Sequence, residues 1–318
     1  NIISFVKKYF PIIDSILEFR SAFIKPDYLS NPLNWAGHIP FAFWLMDTLK
    51  PDIFLELGTH TGNSYFAFCQ GIRDHKLPTK SFAVDTWQGD EHAGYYGDEV
   101  YSAVHAYNQE HYHPFSTLMR MTFDDAINYF ENASVDLLHI DGLHTYDAVK
   151  HDFENWLPKM SESGIVLFHD TNVHERNFGV WRLFGELSDI YPSISFDHSY
   201  GLGVLFTGTQ QCDAIKELLE NWYISERQAF LKSFFLCIAD RNIHEFYSNE
   251  LSHLLQKKDH LVATISEEIH QLHFQLQGEL MKEKKLSQQI TALTHENSER
   301  NKQLKKLITS SSWRITKP

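Results

Sequence analysis

Two short stretches carry residue types that could do chemistry together: Asp141-Gly142-Leu143-His144 and His169-Asp170. Each follows an apolar run, Val135 to Ile140 and Gly164 to Phe168, of the length of a buried strand. Neighbouring parallel strands lie about 5 Å apart, so acids at the ends of two such strands can share one divalent cation. A cation there would bind a hydroxyl group, lower its pKa and orient its oxygen. Imidazole titrates near neutral pH, and His144 stands just after Asp141, which makes it the candidate base for that hydroxyl's proton. Plainer roles remain open: Asp141 and His169 as strand-end caps that bind cofactor or water, and His144 as a hydrogen-bonding group behind the ligand.

Such residues need a scaffold that gathers strand ends. Ile53-Phe54-Leu55-Glu56-Leu57 reads as a buried strand, and Gly58-Thr59-His60-Thr61-Gly62 as a loop opening a helix at Asn63-Ser64-Tyr65. Gly58 permits a sharp turn and a close approach to the backbone, and the helix start presents unpaired N–H groups, which together suit a nucleotide-like cofactor. The glycine spacing is neither that of a dinucleotide fingerprint nor that of a P-loop, and a ligand-free turn is the alternative. A second run, Ser81 to Val84, ends in Asp85, where doubly wound folds commonly bind the ribose hydroxyls of an adenosine. A third, Phe115 to Met121, leads into Thr122-Phe123-Asp124-Asp125, the pattern of a capped helix start. Apolar runs alternating with helical patterns, each ending in polar groups, predict an α/β domain with one parallel sheet and a crevice at its strand ends.

Glu56 to Gly62, Val84-Asp85-Thr86-Trp87, His139-Ile140-Asp141-Gly142-Leu143-His144-Thr145-Tyr146 and Phe168-His169-Asp170-Thr171 together resemble class I S-adenosylmethionine-dependent methyltransferases. More closely they resemble the subgroup with a D-G-x-H-x-Y motif found in bacterial surface-polysaccharide (O-antigen or capsule) biosynthesis proteins, related to macrolide-sugar O-methyltransferases and to a cephalosporin hydroxylase-like enzyme. The resemblance spans roughly residues 30–208. It implies a Rossmann-like, doubly wound seven-stranded sheet whose last two strands form an antiparallel hairpin. Ile194 to Phe196 and Leu202 to Thr207, joined through His198-Ser199-Tyr200-Gly201, suit that hairpin.

The cofactor implied is S-adenosylmethionine. Gly58, Thr59 and Gly62 would lie against its methionine portion, with Glu56 meeting the amino group, Asp85 and Thr86 at the ribose, Thr122 and Phe123 beside the adenine, and Asp141 next to it. Carried over by motif, Asp141 and Asp170 would hold Mg²⁺ or another divalent cation, with His169 as the third ligand and Asn172 as its alternative. Some relatives have an acid where His169 stands, which leaves the metal's identity open. The implied activity is O-methyl transfer, with Asp141 and His144 catalytic, to a sugar hydroxyl of a surface glycan. Trp87 suits stacking on the adenine or ordinary packing. The stretch from Gln88 to His113 is expected to cover the site, with Tyr95, Tyr96 and Tyr101 suited to a sugar face and His111 and His113 to an acceptor pocket or lid. Two other readings stand beside this one. The first is a metal-dependent hydroxylase-like enzyme on the same fold, using Asp141, His169 and Asp170 for iron. The second is an inactive methyltransferase-like scaffold.

The chain has 28 Lys and Arg against 41 Asp and Glu, a net charge of -13, which disfavours nucleic acid as a partner. No run of eighteen apolar residues suggests a transmembrane helix. Cys69 and Cys237, in apolar surroundings, and Cys212, in polar ones, lack C-x-x-C spacing and read as free thiols of a reducing compartment. The expected location is cytoplasmic, at or near the inner face of the membrane. From Leu251 to Leu307 a heptad register places Leu, Ile or Val at twelve of seventeen core positions, with Lys258, Glu279, Glu283, Asn297 and Arg300 interrupting it, which predicts an α-helical coiled coil and self-association. Asn297, at an a position, favours a parallel pairing. The alternative is a long amphipathic helix packed on its own domain. The expected organisation is a helical segment over 1–50, a methyltransferase-like domain over 51–210, a helical connector over 211–250, a coiled coil over 251–309 and a linker starting at 310–318. Ser310 to Pro318 resembles a segment that precedes a glycosyltransferase domain in surface-polysaccharide proteins. That resemblance, with Asn1 in place of Met, is the basis for expecting a piece of a longer polypeptide and a glycosyltransferase domain or partner.

Overall fold

The computed structural model of the chain describes residues 19–310. The start of the expected N-terminal segment and the Trp313-containing end of the expected linker lie outside those residues. Seven strands form one sheet: β1 (Ile53–Leu57), β2 (Lys80–Asp85), β3 (Ser116–Arg120), β4 (Val135–Ile140), β5 (Met160–His169), β6 (Ser193–Phe196) and β7 (Leu202–Phe206). Their order is β3-β2-β1-β4-β5-β7-β6. The first five strands pair in parallel, and β7 is antiparallel to both β5 and β6. This is the doubly wound sheet with a terminal antiparallel hairpin that the resemblance implied.

The apolar runs become central strands because both faces of the sheet are covered. On one face Phe54, Leu137, Ile165 and Leu167 pack with α1 (Ile39–Leu49), α2 (Asn63–Asp74) and the aromatic cluster of Phe41, Trp44, Phe196 and Phe235. On the other, Leu55, Leu57, Leu138, Ile140, Val166 and Phe168 pack with Phe153 and Trp156. Strand alternation therefore sends every second residue to each layer. Beyond β2, α3 (Asp98–His111) follows a two-strand hairpin, Gly89–Asp90 with Gly94–Tyr95. The one-turn α4 (Phe123–Ala126) starts as expected, its Thr122 hydroxyl accepting from the Asp125 N–H at 3.2 Å. Helices α5 (Tyr146–Trp156) and α6 (Val180–Ser188) complete the second layer, and α7 (Asp213–Trp222) packs with the first.

The last helix, α8, runs from Ser225 to Thr309 without a break, Gly278 included. The chain divides into two compact units, 1–247 and 248–318. In the first, α8 buries Leu231, Phe235, Ile238 and Ala239. In the second, the seam residues from Leu251 to Leu307 are all exposed in the single chain. Cys69 is buried, but Cys237, expected in apolar surroundings, is exposed because it lies on the outward side of α8. Among the described residues no helix is long and apolar enough to cross a membrane.

Candidate active site

The polar strand ends meet. Asp141 follows β4, its N–H donating to the Leu57 carbonyl at 2.8 Å. Asp170 follows β5 with a φ of +61°, a left-handed conformation uncommon for a side chain other than glycine. His144, in the loop before α5, places Nε2 2.8 Å from Asp170 Oδ2 and 3.3 Å from Asp141 Oδ1. His169 closes β5. Its Nδ1 is 3.2 Å from Asp141 Oδ1 and 3.4 Å from Asp170 Oδ2, while its Nε2 donates to the Ser199 carbonyl at 3.0 Å.

Two carboxylates thus face two imidazoles, and each group responds to the others. Burial alone would raise the carboxyl of Asp141, but His169 and His144 hold it well below the usual range, and the same pair lowers Asp170. Burial would lower His144, yet Asp141 and Asp170 overturn that and push it up to about 9. His169 is likewise raised well above the usual value for histidine, against its burial, by the same two acids. The ligand atoms of Asp141, His144 and Asp170 lie within 4.8 Å of one another, a spacing that can hold one metal ion. The expected donor set changes accordingly. His144 Nε2 lies at the same point, where it can ligate the ion or accept a proton but not both, and His169, its Nε2 donated to the hairpin carbonyl, keeps Nδ1 toward both carboxylates. Asn172 donates its amide N–H to the Asp197 carbonyl and lines neither of the two chambers beside the cluster.

Two chambers share the walls made by His60, Ala93, Asp141 and His144. One, of about 240 Å³, is lined by Gly58, Asp85, Thr86, Tyr96, Thr122, Phe123 and Gly142, and so gathers most of the residues expected at the ribose and adenine. The other, of about 330 Å³, is lined by Trp35, Thr59, His92, His169, Asp170, Phe178 and Tyr200, among others.

Several assignments need correction. Glu56 does not face the crevice. It shares the Phe54 face of β1, pairs in register with His139 of β4, and its Oε2 meets His139 Nδ1 at 2.8 Å with both side chains fully buried. Burial raises its carboxyl, with the His139 bond opposing. Gly58 has a φ of +89°, and a Cβ there would sit 2.1 Å from the Asp141 carbonyl oxygen, so the glycine is needed for the approach of the chain after β4, and it also lines the smaller chamber. Gly62, with a φ of +87°, caps α2 and gives room to Phe66 but lines neither chamber. Asp85 is an anchor of the loop: its Oδ2 accepts from the N–H groups of Thr59 and His60 at 2.8 and 2.9 Å, and its Oδ1 from Trp87 at 2.7 Å. A carboxylate has about four acceptor positions, so one remains for a ribose hydroxyl. Trp87 is fully buried against Tyr101, its indole N–H donating to the His60 carbonyl, so it is packing. Tyr95 is 82% exposed and outside both chambers, as are His111 and His113. Tyr96 borders the smaller chamber, and the tyrosine of the larger one is Tyr200, from the β6–β7 turn.

Residues 55–171 match the model of a family described as a methyltransferase domain. The chain is 46% identical over 221 residues to the uncharacterized protein y4gI of Sinorhizobium fredii, an alignment covering 70% of this chain and 24% of that protein. The chain thus spans about a quarter of that relative's length. Among solved structures it is similar to the S-adenosylhomocysteine-bound methyltransferase PaMTH1 of Podospora anserina, at 15% identity and a TM-score of 0.42, covering 64% of this chain and 93% of that one. It is also similar to the O-methyltransferase TomG of Streptomyces achromogenes, solved with S-adenosylmethionine, at 14% identity and a TM-score of 0.41, covering 62% and 89%.

Proposed function

We propose that the chain is an S-adenosylmethionine-dependent O-methyltransferase that acts on a sugar hydroxyl of a bacterial surface glycan. The observation that carries this reading is that Asp141 and His144 wall both chambers at once. A group held in the larger chamber against them faces whatever occupies the smaller one, which is the placement that methyl transfer needs.

The smaller chamber suits an adenosine, with Phe123 for the base and the free acceptor position of Asp85 for the ribose. S-Adenosylmethionine, when bound, supplies an electrophilic methyl group and leaves as the neutral thioether. His144 is the group assigned to take the acceptor's proton as the O–CH₃ bond forms. Its two carboxylate neighbours raise its pKa to about 9 and so stabilise the imidazolium formed, and the ring becomes free to accept a proton as pH rises through that value. Two carboxylate donors with imidazole beside them fit Mg²⁺ or Mn²⁺. Asp141 and Asp170 would hold such an ion, which would polarise the acceptor hydroxyl and reduce the proton affinity that His144 needs.

The exposed apolar seam of 251–307 supports self-association with a second copy through a coiled coil. A cytoplasmic place at the inner membrane face, and a glycosyltransferase domain or partner, belong to the same reading.

Calorimetric titration of S-adenosylmethionine with and without Mg²⁺, followed by transfer of labelled methyl to a panel of pyranosides, tests the proposal. Micromolar binding and labelled product are expected. Absence of heat under both conditions sinks the enzyme reading and leaves a scaffold.

A further inference from the structure

His92 is a well-placed side chain with nothing in the protein to bind. It sits at the tip of the Gly89–Asp90/Gly94–Tyr95 hairpin and borders the larger chamber but not the smaller. Its backbone is pinned from both sides: its N–H donates to Asp90 Oδ1 at 2.7 Å, and its carbonyl accepts from Arg176 Nη2 at 2.9 Å. Its ring lies on Phe178 at 4.4 Å between centroids and 19° between planes. Phe178 stacks in the same way on His144, at 4.7 Å and 10°. The two imidazoles are 5.6 Å apart, side by side on one phenyl ring.

Hydrogen bonding leaves both imidazoles with capacity to spare: the Nδ1 atoms of His92 and of His144 are each buried without a partner. A buried polar nitrogen left unpaired costs about 1–3 kcal/mol and is rare unless a ligand, water or ion completes it. A surface histidine that merely packs on Phe178 would not need its main chain fixed by two separate elements.

We propose that His92 is a specificity-determining residue that hydrogen-bonds a hydroxyl of the acceptor next to the one held at His144. A hydrogen bond spans about 3 Å, so two imidazoles at this separation can engage neighbouring oxygens of one sugar ring. The acceptor class is then a polyhydroxylated ring with a free hydroxyl beside the methylated one, rather than an isolated alcohol or phenol. This inference rests on the sugar-acceptor reading of the same site.

The test uses the full chain and His92→Phe, which keeps the stack on Phe178 and removes both nitrogens. S-Adenosylmethionine binding is measured by calorimetry. Methyl transfer is measured on methyl pyranosides and on their monodeoxy analogues. The expected result is an unchanged cofactor Kd, kcat within a few-fold of wild type and a roughly tenfold rise in KM. That rise should vanish on the analogue that lacks the neighbouring hydroxyl. An equal loss on the parent sugar and all of its analogues, or weakened cofactor binding, overturns the role of His92 while the methyltransferase reading stands. A wild-type protein that binds cofactor but methylates no pyranoside overturns both.

Discussion

Asp85 offers the sharpest test, because the structure gives it more work than a ribose contact. Three main-chain N–H groups, of Thr59, His60 and Trp87, converge on its carboxylate at 2.7–2.9 Å, and the side chain is nearly buried. A hydrogen bond to a charged acceptor contributes about 1.5–3 kcal/mol, and neighbouring bonds are not fully additive. Asp85→Ala leaves all three donors unmatched, with water able to reach only part of the loop. The expected loss is about 3–5 kcal/mol, less than the total stability of a typical domain, so the variant stays folded in the cold. Asp85→Asn should lose less. Its amide oxygen can keep both Thr59 and His60, but its NH₂ then faces the Trp87 N–H and that bond is lost. Urea unfolding followed by tryptophan fluorescence reads this loss, since Trp87 is fully buried, whereas far-UV circular dichroism would be dominated by α8. Asp85→Ala should also lose S-adenosylmethionine binding, because the loop that walls the chambers is no longer held. If Asp85→Ala unfolds within about 1 kcal/mol of wild type, the loop-anchor argument is wrong and Asp85 acts on ligand alone.

Two further outcomes follow from other parts of the molecule. Burial, with Asp124 adding to it and His151 opposing, pushes the carboxyl of Asp152 up to about 7. The folded state then keeps a proton that the unfolded chain releases near pH 4, so Asp152 lowers stability progressively as pH rises from about 4 to 7, and fully above that. Asp152→Asn should therefore gain about 2–4 kcal/mol at pH 8 and nothing at pH 4, and equal effects at both pH values in urea titrations would refute it. In the second unit, sedimentation should give a mass above the 37.1 kDa of one chain. Ile269→Lys with Leu272→Lys, at adjacent seam positions, should return it to one chain with helicity reduced. A wild-type monomer at tens of micromolar protein would remove the coiled-coil reading.

The strands were legible because each is a short apolar run that stops at a polar residue, and the crevice follows from where five such stops must lie in a parallel sheet. Which face a strand-end acid takes was not legible from that pattern. Glu56 and Asp85 both close an apolar run. Alternation puts Glu56 on the Phe54 side, and the register of β1 with β4 then sets it opposite His139, two facts that exist only once the strands are paired. The four groups of the polar cluster were found because they sit at the end of β5 or within a few residues after β4 and β5. His92, Phe178 and Tyr200 were not singled out as site residues, since they come from three separate loops and meet only in space. One signal was available for Tyr200: the turn His198-Ser199-Tyr200-Gly201 is too short to lie far from the strand ends it joins. It takes three consecutive positive φ values, at Ser199, Tyr200 and Gly201, to make that turn.

The matched region, 55–171, holds the whole polar cluster yet does not build the site by itself. Asn63 accepts from the Ser30 N–H and donates to the carbonyls of Ser30 and Pro32, and the Tyr28 hydroxyl donates to the Thr61 carbonyl, so a segment before β1 is stitched to the start of α2. From that segment Trp35 lines the larger chamber and gives its indole N–H to His139 Nε2 at 3.1 Å. Indole can only donate. His139 must therefore accept at Nε2 and carry its hydrogen on Nδ1, where it reaches Glu56. The same logic fixes His169. A carbonyl can only accept, so the Ser199 oxygen takes N–H bonds from Nε2 of both His38 and His169, and His169 is left with Nδ1 toward Asp141 and Asp170. Burial, with His169 and His198 adding to it, holds His38 well below the usual histidine value, which keeps it a neutral donor beside the charged cluster. A chain trimmed to the matched region would keep both carboxylates and both imidazoles, and lose the groups that decide which nitrogen of each buried imidazole faces them. Site chemistry here is a property of the flanks as much as of the motif.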